Sequence, residues 1–496
     1  LKTVASCGAE QQNVALLEVN RSPSSNTSFD TKNPPRWVKS RIGARAGKFL
    51  QDVPQGKRKS EVFVRHLTNE AYVANSELWK AVHSTSPIRK KSHARRLLKE
   101  FLQVWTCTAV LSGESLDFTH TKRLRQSETV IAWVWKISAQ LLTSPEAFMA
   151  SAKVYAHAVR TAWIGKLPFR RIPFSTIFRP GWLRAHGPWS NRAEQHMLLQ
   201  WSFLARALPA RPKYLVGSPV AEMVERVTNV NTITKPILPG HVDTIMEGKK
   251  PRQNFERVSL QSRGACLQAK RSEGGRRAFY ALSYESFLKK RNLPPPRFQA
   301  SEFSAAQAVE VSKARQALWD RSFISDPDLQ STMSLESHPV LVLERGWKTR
   351  VVSRSCAIRV INSEAYRADI VRTLLRRNAF ALPQSGKLDY LPITGSGSRN
   401  PSKLYVFSAD LSNATDFLSR EVLEGIANHL GIPPCLVTGG TIKFNGVSKE
   451  MLCGTLMGIP LSFPFLNLVH LYVCDQIGAA RNSYYVCGDD LIALWS

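Results

Sequence analysis

The chain has 496 residues, 43% of them hydrophobic, and carries 68 Lys and Arg against 38 Asp and Glu, a formal charge of +30. That apolar content suffices for a substantial core in two or three lobes, and the charge predicts salt-sensitive attraction to polyanions, a property also of ribosomal-type binders and membrane-surface proteins. Eight cysteines lie scattered without metal-ligand spacing, which excludes a Cys/His metal cluster and points to a reducing compartment.

In chain order, residues 21–36 are rich in Ser, Asn and Pro and read as a flexible linker. Residues 89–111 and 128–163 have apolar residues at helical spacing. Trp133, Trp135 and Trp163 in the second stretch can stack on bases or fill a core. Proline breaks near 208–212, 236–239 and 294–296 suggest boundaries, giving a mostly helical segment over 1–235 and two further segments, 236–403 and 404–496. Positive charge is distributed, with local runs such as Arg89-Lys90-Lys91 and Lys249-Lys250. Gly274 and Gly275 sit among Lys270, Arg271, Arg276 and Arg277, either as a plain basic turn or as a place where a polyanion backbone passes closely. Lys348 and Arg350 alternate along a strand-like run, so both project to one face. Two cations on one face suit a triphosphate; an exposed basic strand edge is the other reading.

The last hundred residues are the most legible. Residues 405–410 form an apolar, β-prone run ending in Asp410, and 415–430 have helical spacing stopped by Gly431 and Pro433-Pro434. Asn445-Gly446 between 441–444 and 447–451 is a strong hairpin signal. A glycine-containing loop leads into a helix beginning near Ser462, with Pro464 in its first turn. The apolar stretch 459–474 contains Pro, Asn and His and is too short to cross a bilayer. His470 and Cys487 read as packed residues. Gly488-Asp489-Asp490 then stands as a tight turn between two apolar strands. Carboxylates on rigid strand ends can converge on a pair of divalent ions that clamp an in-line phosphoryl displacement, whereas an ordinary hairpin tip with solvated acids is the plainer alternative.

The order strand with Asp, helix, hairpin, glycine loop with helix, hairpin with Asp-Asp is the layout of a polymerase palm. Asp410-Leu-Ser-Asn-Ala-Thr-Asp416 resembles motif A of viral RNA-dependent RNA polymerases of the levivirus-like lineage, in particular those of narnaviruses and ourmia-like viruses. Met457-Gly458-x-Pro460-x-Ser462-Phe463-x-x-Leu466-Asn467 resembles their motif B, and Gly488-Asp489-Asp490 their motif C. Residues 343–352 resemble motif F, and Gly264 through Gly275 resemble the block that precedes it. The motifs occur in family order over the second half of the chain.

This resemblance implies an α+β right-hand polymerase: an N-terminal extension supporting the fingers over 1–235, fingers over 236–403, and a palm over 404–496. It implies transfer of a nucleoside monophosphate from an NTP to an RNA 3′-OH on an RNA template. Asp410 and Asp489, assisted by Asp490, would hold two Mg²⁺ ions, with Mn²⁺ as a substitute. Lys348 and Arg350 would steady the triphosphate. Asp416 and Asn467 would sense the ribose 2′-OH, and Ser462 would belong to the loop supporting the nascent base pair. Alternatives stay open for Asp416 as an acid at a helix N-terminus, for Asn467 as a mid-helix amide and for Ser462 as a helix cap. Gly274, Gly275 and Arg276 would line the template path.

The implied partners are RNA template, RNA product and NTPs, with no capsid partner and no membrane segment. The implied location is the host cytoplasm, the mitochondrion staying open. The first residue is Leu, and related enzymes continue past motif C into motifs D and E and a thumb. A chain ending at 496 is therefore expected to lack the thumb and to be inactive by itself. A reverse transcriptase and a noncatalytic RNA-binding protein with a palm-like fold are the competing functions.

Overall fold

The computed structural model describes residues 76, 78–112, 114–115, 123–164, 172–180, 184–185, 199–229, 239–258, 263–294, 305–377, 379–380, 405–477, 479 and 483–495. The expected linker at 21–36 and the expected boundaries at 235 and 403 lie outside these residues. Contacts divide the chain into two units. The first is Leu1–Gly217 with Leu343–Thr349, and the second is Ser218–Val342 with Arg350–Ser496.

In the first unit, helices α1 (Lys91–Leu111), α2 (Arg123–Thr143) and α3 (Pro145–Ile164) carry the core. On α1, Leu97, Leu98, Phe101, Leu102, Trp105 and Ala109 recur at three- and four-residue spacing and are all buried. The stretch 128–163, read as having helical spacing, lies in two helices divided at Ser144-Pro145, because proline lacks the amide that would continue the ladder and disfavours helical geometry before it. Trp133 and Trp135 fill the core. The Trp133 indole donates to the Ile177 carbonyl at 2.7 Å, and Trp105 does the same to Phe178. The Trp105 and Trp133 rings thus bury their apolar bodies while the single donor of each is satisfied.

The second unit is mixed α+β. Its helices are α4 (Pro219–Thr228), α5 (Pro239–Met246), α6 (Gly275–Lys290) and α7 (Ala305–Trp319). Strands β1 (Glu336–Glu344) and β2 (Lys348–Ser355) precede α8 (Ala357–Arg376). Then come β3 (Tyr405–Asp410), α9 (Arg420–Leu430), β4 (Thr441–Phe444), β5 (Val447–Glu450), α10 (Ser462–Gln476), β6 (Tyr484–Cys487) and β7 (Asp490–Trp495).

Two sheets result. One runs β2-β1-β4-β5, with β1 and β4 parallel from Glu336 opposite Thr441. Its β4–β5 hairpin turns at Asn445 (φ 51°) and Gly446 (φ 82°), the paired positive φ of a type I′ turn. The other sheet is antiparallel, in the order β3-β7-β6. Its buried face presents Tyr484, Val486, Leu491 and Ala493 to a core shared with Leu423, Ile426 and Leu430 of α9 and with Phe465, Leu468 and Leu471 of α10.

Helix α8 joins two cores. Ile358, Ile361 and Ala365 pack with α6 and α7, while Ile370 and Leu374 pack with α9 and α10. Its Arg359 is fully buried and donates to the carbonyls of Cys435, Leu335, Thr438 and Gly439 at 2.7–3.3 Å. Burial pulls this guanidinium down to about 10, which leaves it charged at neutral pH. Its five donors make it a backbone clamp between the start of β1 and the loop before β4.

Candidate active site

Asp410 is the last residue of β3 and stands directly opposite Asp490, the first residue of β7. Directly opposed residues share a face of the sheet, with Cβ atoms about 4.5–5.5 Å apart. Alternation along the strands turns that face away from the core lined by Val486, Leu491 and Ala493. Asp489 completes the group from the turn between β6 and β7. The ladder continues past the tips, where the Leu411 amide donates to the Asp489 carbonyl at 3.1 Å. All three acids are exposed. The two acidic strand ends, far apart in sequence, are neighbours.

The turn that carries Asp489 is held from below. Gly488 has φ 69°, positive φ at the first loop residue only, which is the pattern of a type II′ turn. Its amide donates to Asn467 Oδ1 at 2.7 Å, and its carbonyl lies 3.0 Å from His470 Nδ1. Asn467 Nδ2 donates to the Phe463 carbonyl at 2.7 Å. A Cβ on residue 488 would meet the Phe463 ring at 3.0 Å. Asn467 is fully buried, so both ends of its amide are committed inside the protein.

Asp416 is also buried. Its Oδ2 accepts from Arg226 Nε at 3.0 Å and Nη2 at 2.9 Å, and Thr415 Oγ1 lies 3.5 Å from its Oδ1. Burial raises the carboxyl above its usual range, against the opposing pull of Arg226 and Thr415. The expected helix over 415–430 begins only at Arg420. Before it, residues 412–417 are turns, with Asn413 at φ 54°. The physical reason is the strand-like segment 453–455, which takes up the backbone of 415–418. Gly454 donates to Leu418 and Thr455 to Thr415, and a Cβ on residue 454 would lie 2.8 Å from the Asp416 carbonyl. Asp416 is therefore not an acid of the first helical turn.

Ser462 is the first residue of α10 and is buried; its hydroxyl donates to the Ile459 carbonyl at 2.6 Å and makes no capping bond. Gly458 donates to Ser353 Oγ at 3.1 Å, which brings the glycine loop against β2. On β2, Lys348 and Arg350 are both exposed, with half-buried Thr349 between them. Lys348 belongs to the first unit and Arg350 to the second. Within the first unit the turn before Lys348 is pinned: Gly346 donates to Leu208, Trp347 to Pro209, and the Trp347 indole to Glu146 at 2.8 Å. Lys153 donates to the Trp347 carbonyl, and its amine is lowered by burial and by the charge of Lys348.

Gly274 and Gly275 open α6 at φ 94° and 65°. Arg276 donates its amide to Gly264, and a Cβ on residue 275 would fall 2.5 Å from the Arg263 carbonyl, so the missing side chain at Gly275 serves a close approach of this chain's own backbone. The structure thus brings together Asp410, Asp489 and Asp490, with Asn467 beneath them.

Two residues at the site were invisible to pattern reading. Arg226 sits in the last turn of α4, where a cation needs no functional explanation. His470 reads from sequence only as a packed residue. Neither lies in a motif, and only tertiary contact reveals their partners.

Three carboxylates supply hard oxygen donors of the kind that Mg²⁺ or Mn²⁺ accepts. Among the described residues no group of three or more His, Cys, Asp or Glu is placed to hold a metal ion, Asp410, Asp489 and Asp490 included, and what the structure gives for these three is adjacency of their strand ends. Mg²⁺ commonly takes one or two carboxylates, its remaining ligands being waters and substrate phosphates.

No family model matches the chain. The RNA-directed RNA polymerase of Saccharomyces 23S RNA narnavirus is 25% identical over 339 residues, 60% of this chain and 34% of that protein. That of Saccharomyces 20S RNA narnavirus is 24% identical over 385 residues, 70% of this chain and 43% of that protein. The chain therefore spans less than half the length of these relatives. A solved polymerase, the BmCPV RNA-dependent RNA polymerase at elongation state, matches with a TM-score of 0.30 and 11% identity over 80% of this chain and 40% of that one, a likeness too loose to carry weight. By sequence, the chain is similar to the RNA-directed RNA polymerases of narnaviruses.

Proposed function

We propose that this chain carries the catalytic region of an RNA-directed RNA polymerase, which adds nucleotides from NTPs to the 3′ end of an RNA copied from an RNA template. The observation that supports it most is the pairing of Asp410 with Asp490 across two strand ends, with Asp489 beside them on a held turn. In the reaction the 3′-hydroxyl oxygen bonds to the α-phosphorus, the bond from that phosphorus to the pyrophosphate oxygen breaks, and the hydroxyl proton is released. Two divalent ions, when bound, lower the pKa of the attacking hydroxyl and neutralise charge on the leaving group. Asp410 and Asp489 would hold them with Asp490 assisting, and the sheet fixes the strand ends that carry Asp410 and Asp490 so that little reorganisation is needed.

In this reading the β3-β7-β6 sheet with α9 and α10 is the palm, over 404–496. The fingers lie over 236–403, and 1–235 is an N-terminal extension. Lys348 and Arg350 steady the triphosphate. Asp416 reads the ribose hydroxyl through Oδ1, the oxygen not taken by Arg226. Replication takes place in the host cytoplasm.

The test is RNA-primed extension on an RNA template by the protein in its full natural length. Incorporation of NTPs in preference to dNTPs, dependent on Mg²⁺, is expected. Asp410→Asn and Asp489→Asn should each lower the rate at least about a thousandfold while RNA binding persists, since each replaces a charged carboxylate that would hold a divalent ion by a neutral amide. Undiminished synthesis by either variant overturns the metal assignment.

A further inference from the structure

We propose that Asn467 and His470 are positioning residues that seat the Gly488–Asp490 turn, so that motif B's asparagine here serves the metal-bearing acids and not the sugar. The inference rests on the polymerase reading for its consequence, but its geometry stands apart from it.

The peptide group that must be held is that of Gly488. Its amide and its carbonyl are each met by a side chain of α10, Asn467 at 2.7 Å and His470 at 3.0 Å. The two are three positions apart on the helix and therefore lie on one face of it. Asn467 is in turn fixed by the bond from its Nδ2 to the Phe463 carbonyl, one helical turn back. The Phe463 ring closes the third side, within 3.0 Å of where a side chain at 488 would begin. A tight turn would otherwise leave this buried amide and carbonyl without partners, an unfavourable state for a desolvated peptide group. Since Gly488 immediately precedes Asp489, any rotation of this peptide swings the carboxylate.

Sugar recognition needs an amide atom that can reach the ligand. Asn467 is 0% exposed, and each end of its amide already has a short, well-placed bond. Freeing it for a ribose would unseat the turn that carries Asp489. His470, 7% exposed, presents Nδ1 as a donor to the Gly488 carbonyl, which requires the proton on that nitrogen.

The test uses the full natural protein with Asn467→Ala, His470→Ala and His470→Asn, the last retaining a donor close to the place of Nδ1. Hydrogen exchange at the Gly488 amide, followed by mass spectrometry of the 484–495 segment, should be at least about tenfold faster in Asn467→Ala, because opening no longer breaks a side-chain bond. The extension rate at saturating NTP should fall about 10–100-fold, with a parallel rise in the Mg²⁺ concentration needed for half-maximal rate. KM for NTP and the NTP:dNTP ratio should stay within about twofold, the signature of a lost positioning contact and not of lost substrate binding. His470→Asn should recover most of what His470→Ala loses.

Unchanged exchange at Gly488 in Asn467→Ala overturns the seat, whatever happens to activity. Collapse of the NTP:dNTP ratio with the Mg²⁺ requirement unaltered also overturns it and returns Asn467 to the sugar. If the unaltered protein extends no primer, the polymerase reading fails, and the seat is still decided by exchange. If Asn467→Ala does not fold, the comparison of His470→Ala with His470→Asn at equal melting temperature decides: equal activities overturn the proposal.

Discussion

Arg226 places two donors on one oxygen of Asp416, leaving the other oxygen with only the 3.5 Å contact to Thr415. The pair is largely screened from solvent, with side-chain exposures of 23% and 12%, so the ionised carboxyl depends on its partner. Arg226→Ala should lower stability by about 2 kcal/mol, the value of charged hydrogen bonds lost from a partly buried site. The loss should depend on pH, and its sign follows from the raised carboxyl. A folded-state value above the unfolded one gives a contribution that is complete below about pH 4 and fades as pH rises through the folded value. Without Arg226 that value rises further. The gap in melting temperature between the natural chain and Arg226→Ala should therefore be small in acid and widen toward neutrality. A gap independent of pH would show that the guanidinium does not stabilise the ionised form. Thiol chemistry offers a simpler contrast at this scale. Cys107 is exposed, whereas burial pushes the Cys453 and Cys474 thiols up, the latter to about 12.

Among the elements, the two hairpins and the glycine loop show how differently glycines act. Gly446 has positive φ, but a side chain there would meet open space. Gly446→Ala should cost about 1 kcal/mol, from backbone strain alone. Gly458 has no positive φ, yet a Cβ there would lie 1.9 Å from the Ser353 carbonyl of β2. No flexible side chain can yield at that contact. Gly458→Ala must part the glycine loop from β2 and should cost several times as much as Gly446→Ala in denaturant unfolding; equal costs would show that the loop moves freely. The Asn445-Gly446 turn was legible because positive φ at two consecutive positions is a local demand met by few residue types. The role of Gly458 was legible only as part of a family motif, since the backbone it must admit comes from a strand over a hundred residues earlier. The α9 start shows the converse error. Helical spacing at 417, 418, 422 and 423 suggested an earlier beginning, but the segment 453–455 pairs with 415–418 and holds it out of the helix.

For the whole molecule, a charge of +30 is a property of the sum and needs no particular fold. If RNA is the partner proposed above, each phosphate contacted releases counterions. With about six contacts, affinity should fall about a thousandfold between ~50 and ~200 mM salt. Fluorescence anisotropy of a labelled single strand measures this directly. A flat salt response would mean that the positive charge does not meet the RNA. Asp489→Asn should leave that slope unchanged, since it alters ion binding at the acids and removes no cation.

The amino-acid order alone determined the strand tips, the Asn445-Gly446 hairpin, the helical spacing of 89–111 and the motif series that resembles narnavirus polymerases. Each is set by local sterics, by hydrophobic period or by letters in order. Only the tertiary structure decided that Asp410 faces Asp490 in register, that Arg226 rather than a helix terminus partners Asp416, and that Asn467 and His470 turn inward to grip Gly488. Those outcomes depend on which backbone groups are left without partners once the chain has packed, and a buried amide or carboxylate takes whichever donor or acceptor the packed neighbours bring within about 3 Å.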